Sequence, residues 1–155
     1  MTKRKWMATL MLVLLTVGMM VTTVSAAEGT PNTGDTPYSF YFEPTSGWRY
    51  TEWRNKTNNT SVYINLAQAP ANYTRCHVQG GKGDWGDNVN VSSVTYETYG
   101  SSDAIVVRTG KWRIRQTVYE HGKNKARIQF VATSETGVVA GFWSPDCAGS
   151  YPAVN

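Results

Sequence analysis

The run ARIQFVATSETGVVAGFW, Ala126 to Trp143, decides how this chain folds. Ala126, Ile128, Phe130 and Ala132 alternate with Arg127, Gln129 and Thr133. Successive side chains of a strand point to opposite faces, so this alternation marks an extended segment with one face buried. Ser134 to Gly137 supplies turn residues, and Val138 to Trp143 resumes an apolar run. Two such runs around a short turn read as a hairpin.

The same grammar spreads outward from that stretch. Val62, Ile64 and Leu66 form one face, with Tyr63 and Asn65 on the other, and Thr74, Cys76 and Val78 repeat the pattern. Tyr38, Phe40 and Phe42 alternate with Ser39, Tyr41 and Glu43, and Ala104 to Arg108 is a short apolar run suited to a buried strand. Thr, Ser, Asn, Gly, Tyr and Val are abundant and Leu is scarce, a composition for sheets and turns. The fold class expected is all-β, an antiparallel sandwich or barrel of about seven to nine short strands. Trp112 to His121 reads two ways. Alternation makes it a strand running into a turn, whereas Ile114, Thr117, Val118 and His121 suit a short helix near residues 113–121, with Gly122 at the C-cap position.

The ends bound where the chain acts. Lys3, Arg4 and Lys5 precede an uncharged, mostly apolar stretch from Trp6 to Val21, followed by the small residues Val24-Ser25-Ala26-Ala27. Basic, apolar and small residues in that order form a secretory signal peptide, here residues 1–26. The apolar stretch falls short of the ~20 residues that cross hydrocarbon, so no transmembrane segment is expected after cleavage. The signal holds three of the 15 Lys and Arg; the remaining 12 face 11 Asp and Glu, and the net charge falls from +4 to about +1. That balance gives no footprint for nucleic acid. Residues 27–37, small and polar with Gly29, Pro31 and Gly34, read as a flexible leader, and residues 38–155 as a single β domain. An exported chain with two cysteines, Cys76 and Cys147, is expected to form a disulfide. Closing a loop of about 72 residues would remove denatured-state entropy worth about 4 kcal/mol.

No HExxH, paired-Cys zinc spacing, GxSxG elbow or phosphate-binding loop occurs, and neither a metal nor a cofactor is expected. Asp84, Asp87 and Asn88 put three oxygen donors in one loop, which opens with GGKGDWGD, Gly80 to Asp87, but without EF-hand spacing. His77 and Cys76 are strand neighbours and face opposite ways. Glu97, Asp103 and Glu120 offer carboxylates whose separation the sequence leaves open. Aromatics are the stronger lead. Trp85 stands among glycines in a loop, and Trp48, Tyr50 and Trp53 cluster around one turn and strand. Such side chains stack on sugars or fill a partner's pocket, so these four are the candidate binding residues. The competing reading places Trp48, Trp53, Trp112 and Trp143 in the core.

The runs KWRIRQTVYEHGKNKARIQF and GVVAGFWSPDCAGSYPAVN, with the opening DTPYSFYF, resemble small uncharacterised secreted proteins of Gram-positive bacteria. The shared motifs are V-x-E-x-G, here Val118-Glu120-Gly122, and G-x-W-S-P-D, here Gly141 to Asp146. In size and aromatic content the chain is also similar, more loosely, to lactococcin-like bacteriocins. The resemblance implies export and a Gram-positive origin and carries no activity with it. The function expected is a secreted, non-enzymatic binding domain that meets a cell-wall or glycan ligand, or a protein partner, through aromatic loops. A bacteriocin-like antibacterial effector and an extracellular hydrolase are the alternatives.

Overall fold

The computed structural model describes residues 29–82, 104–154 and the short strand Ser92–Ser93. The signal stretch 1–26, Trp85, the oxygen donors Asp84, Asp87 and Asn88, and the carboxylates Glu97 and Asp103 lie outside the described residues.

Ten strands and no helix make up the described chain: β1 (Thr36–Phe42), β2 (Arg49–Tyr50), β3 (Arg54–Asn55), β4 (Val62–Gln68), β5 (Tyr73–Gly81), β6 (Ser92–Ser93), β7 (Ile105–Arg108), β8 (Gly110–Ile114), β9 (Lys125–Val131) and β10 (Gly137–Ser144). They pair antiparallel into two sheets and close no barrel. The first runs β1-β10-β4-β8. The second centres on β9, with β2 and β3 in line along one side and β5 along the other, and β5 carries β6 and β7 on its far edge.

The inner faces meet in one core. Phe42, Val62, Ile64, Leu66 and Trp143 come from the first sheet, and Val78, Val107, Ile128 and Phe130 from the second. Tyr38 and Phe130 bridge the layers with ring centroids 4.8 Å apart. Burying an aliphatic or aromatic side chain of this kind stabilises by about 1.5–3 kcal/mol each, which is why the apolar positions of the long strands face this core.

Four expectations need correction. The segments Ala126–Val131 and Val138–Trp143 are strands, but not a hairpin: β9 pairs with β5, β2 and β3, whereas β10 pairs with β1 and β4. The turn between them carries the chain across the core from one sheet to the other. Alternation reports which face is buried and says nothing about the neighbour.

Of the two readings of Trp112 to His121, the strand running into a turn is the one found, and the short helix near 113–121 is absent. β8 ends at Ile114 and the chain enters a turn over 118–122. Lys123 N–H bonds to Val118 O at 3.1 Å and Gly122 N–H to Tyr119 O at 2.9 Å, with Gly122 at φ +65°. That is the bond pair of a helix C-terminus, a Schellman motif, closing a single turn with no helix before it. The glycine signal was genuine, and only the helix it normally ends is missing.

The cysteines are unpaired. Cys76 faces the core of the second sheet opposite Phe130 and Ile105, where burial pushes its thiol up to about 12. Cys147 lies beyond β10, its N–H on Thr60 Oγ1 and its thiol on Gly149 O. Strand pairing sets one in the core and the other on the tail, a separation that sequence spacing does not reveal.

Regular structure begins at Thr36, ahead of Tyr38, and the residues before it are held. Gly29 N–H bonds to Thr57 O, Asn32 N–H to Asp146, and the Arg54 guanidinium to Gly34 O and Asn32 Oδ1.

Two measurements check this arrangement. In denaturant without reductant both thiols should react with Ellman's reagent, and in the native state Cys147 alone should react promptly. An unreduced chain with no titratable thiol would restore the crosslink. A side chain at Gly141 would land on the Asn65 carbonyl where β10 crosses the bulged β4. Gly141→Ala should therefore cost about 3 kcal/mol in urea denaturation, the upper end for overpacking.

Candidate functional site

The outer face of the second sheet brings two aromatic rings and a guanidinium together. Its local cause is a bulge between β2 and β3. Tyr50 faces Gln129 and Arg54 faces Ala126, so Thr51, Glu52 and Trp53 oppose only Ile128 and Arg127. Thr51 keeps the ladder through its N–H to Ile128 O at 3.0 Å and its Oγ1, which accepts Ile128 N–H at 2.9 Å. The extra residue re-aims Trp53, as bulges do. Trp53 therefore joins Tyr50 on Arg127, whose guanidinium carbon sits 4.1 Å from the Tyr50 ring centroid and 4.5 Å from that of Trp53. Each cation–π contact is worth about 0.5–2 kcal/mol. Gly81 makes room for the indole, because a Cβ there would come within 2.8 Å of it.

Amides close a circuit beneath the stack. Arg127 Nε–H donates to Gln79 Oε1 at 2.8 Å, Gln79 Nε2 to Gln129 Oε1 at 2.8 Å, and Gln129 Nε2 to the Tyr50 hydroxyl at 3.3 Å. Both glutamines are buried, so each link replaces a bond to water, and the circuit locks the four side chains in place. Burial lowers the Arg127 pKa and the Tyr50 hydroxyl partly offsets it; the guanidinium remains charged.

The sequence candidates therefore separate. Tyr50, 36% exposed, and Trp53, half-buried, are brought together by Arg127. Trp48 stands just before β2 and is 61% exposed, which removes it from the core reading. Trp143 is the fully buried tryptophan of the set, and Trp112 is partly buried against the core. Arg127, Gln79 and Gln129 were missed, although the outward positions of β5 and β9 pointed to them by alternation alone.

A second polar constellation lies at the end of the sandwich. Lys56 and Asp146 form an ion pair at 2.6 Å with both side chains fully buried. The ammonium also donates to Thr60 O at 2.6 Å and Pro145 O at 2.9 Å. The other carboxylate oxygen accepts Asn32 N–H at 2.8 Å, Thr57 N–H at 3.2 Å and the Thr57 hydroxyl at 2.8 Å. An ammonium with three protons given to oxygen has no lone pair left for attack, so this pair is structural and not a nucleophile. Beside it, Cys147 lines a cleft of about 170 Å³ with Thr33, Asp35, Tyr63 and Tyr151. The lining includes no histidine that could serve as a base for the thiol. His121 sits on its own turn, with Nδ1 against Thr117 O.

These features define a two-layer antiparallel β domain that carries an aromatic–guanidinium surface on one sheet. The chain belongs to the family described as "Protein of unknown function (DUF2712)", which matches residues 22–147. No curated protein and no solved structure matches the chain.

Removing one partner of the ion pair strands a buried charge. Lys56→Met should cost about 3–5 kcal/mol in chemical denaturation, and adding Asp146→Leu should recover much of it. Burial raises the Asp146 pKa, but the Lys56 bond and charge and the Asn32 and Thr57 donors outweigh it and hold the carboxyl below its usual 3.8. Its contribution is thus complete above about pH 4 and is lost as pH falls through the depressed folded value. Acid titration of stability should show this loss in the wild type and lack it in the double variant.

Proposed function

We propose that this chain is an exported, non-enzymatic binding domain of the bacterial envelope, which holds glycans against Trp48 and Tyr50. The observation that carries the reading is the Tyr50–Arg127–Trp53 stack, locked from below by Gln79 and Gln129. A sugar offers an apolar C–H face to an aromatic ring and hydroxyls to neighbouring amides and guanidinium groups. A preorganised ring loses little entropy when a ligand docks. Trp48 adds an exposed indole one residue before β2. Export through residues 1–26 and an origin in Gram-positive bacteria accompany this reading, on the basis of the N-terminal pattern and the resemblance.

The test is retention of purified protein on isolated Gram-positive cell walls and on a glycan array, beside Trp48→Ala. The variant should lose about tenfold or more in retention, while its stability stays within about 0.5 kcal/mol of wild type, as for other surface substitutions. Equal retention by the variant would remove Trp48 from the surface, and absence of retention on any glycan would end the reading.

A further inference from the structure

We infer that the ligand of this surface is a polyanionic glycan, an inference that rests on the glycan-binding reading and narrows it. Register places Arg75 on the same outer face of the second sheet as Tyr50 and Arg127: Arg75 pairs with Val131, His77 with Gln129 and Gln79 with Arg127. On β7, Arg108 pairs with Tyr73 and so shares that face, and Lys125 reaches it opposite Gly81. Four cations thus stand on one face, and none of the described strands of that sheet carries Asp or Glu. The described carboxylates nearest to these residues in sequence are exposed and off the strands: Glu120 in the turn five residues before Lys125, and Glu52 in the bulge.

This concentration contrasts with the near-neutral balance of 12 cations to 11 anions after residue 26. Like charges gathered on one sheet face repel, and an anion laid across them relieves the repulsion. Spacing adds to the case. Arg75 and the position opposite Arg127 are four residues apart along β5, about 13 Å at strand rise. His77, Gln79 and Gln129 fill the interval. A point ligand would not span Arg75 and Arg127, whereas an extended chain with repeated charges reaches both. Among the described residues, Arg127 spends its Nε–H on Gln79, which leaves its terminal nitrogens for a carboxylate or phosphate fork. The exposed Trp48 and the Tyr50 ring favour a polymer of sugars over a plain polyelectrolyte.

The test titrates purified protein with polygalacturonate, with a glycerol-phosphate polymer, with neutral dextran of equal length and with double-stranded DNA, each at low and high salt. At least one of the two anionic polymers should bind about tenfold more tightly than dextran, and high salt should weaken that binding. Polygalacturonate against the glycerol-phosphate polymer separates carboxylate from phosphate recognition. Arg75→Gln and Arg108→Gln should each weaken binding about fivefold, the factor an exposed ion pair supplies, with unchanged thermal midpoints. Dextran bound as well as the anionic polymers, without salt dependence, would overturn the charge inference and leave the glycan reading standing. DNA bound as tightly as the anionic polymer would overturn the commitment to a glycan. No binding to any sugar polymer would remove both.

Discussion

The buried pair of Lys56 and Asp146 is the constraint on which the end of this sandwich depends. Taking two charges out of water costs several kcal/mol each, and attraction alone seldom repays it. Here the cost is offset because each ammonium proton and both carboxylate oxygens have partners: backbone carbonyls take the other two ammonium protons, and the Asn32 and Thr57 N–H groups, with the Thr57 hydroxyl beside them, hold the second carboxylate oxygen. The donors and acceptors come from separate parts of the chain. Asn32 belongs to the segment before β1, Thr57 and Thr60 to the loop after β3, and Pro145 to the exit from β10. Gln116 extends the network by donating to Thr60 O and accepting from Val118 N–H, each at 2.6 Å, which ties in the turn after β8.

The stretch from Arg49 to Lys56 joins this network to the candidate surface. Its first part pairs with β9, its bulge delivers Trp53 to Arg127, and Arg54 reaches Gly34 and Asn32 while lying over the Trp143 ring. Lys56 then enters the interior. An exposed aromatic surface and a buried ion pair are therefore consecutive features of one short segment, held from both ends. That arrangement explains how a segment with only two two-residue strands can present rings in fixed positions.

Much of the architecture was legible before any coordinates. The inward set Val62, Ile64, Leu66, Thr74, Cys76, Val78, Ala126, Ile128 and Phe130 faces the interior as alternation required, because a one-residue slip would turn each apolar residue to water. The candidate surface was legible in part. Tyr50 and Trp53 stood out by type, whereas the cation between them did not, since Arg127 comes from a strand more than seventy residues away. The run Asn55 to Thr60 is polar throughout, yet it holds the most buried lysine of the described chain. Nothing local distinguishes a lysine that meets Asp146 from one that meets water.

The sequence by itself determined that the chain is all-β, which face of each long strand is apolar, and where Gly122 turns the backbone. These are matters of steric preference and of periodicity along neighbouring residues. Tertiary structure alone decided that β9 and β10 part into different sheets and that Cys76 and Cys147 stay apart. It also decided that Arg127 lies between two rings and that Lys56 is matched with Asp146. Each of those outcomes depends on which distant strand becomes a neighbour, and pairing partners are chosen by the packing of the whole core.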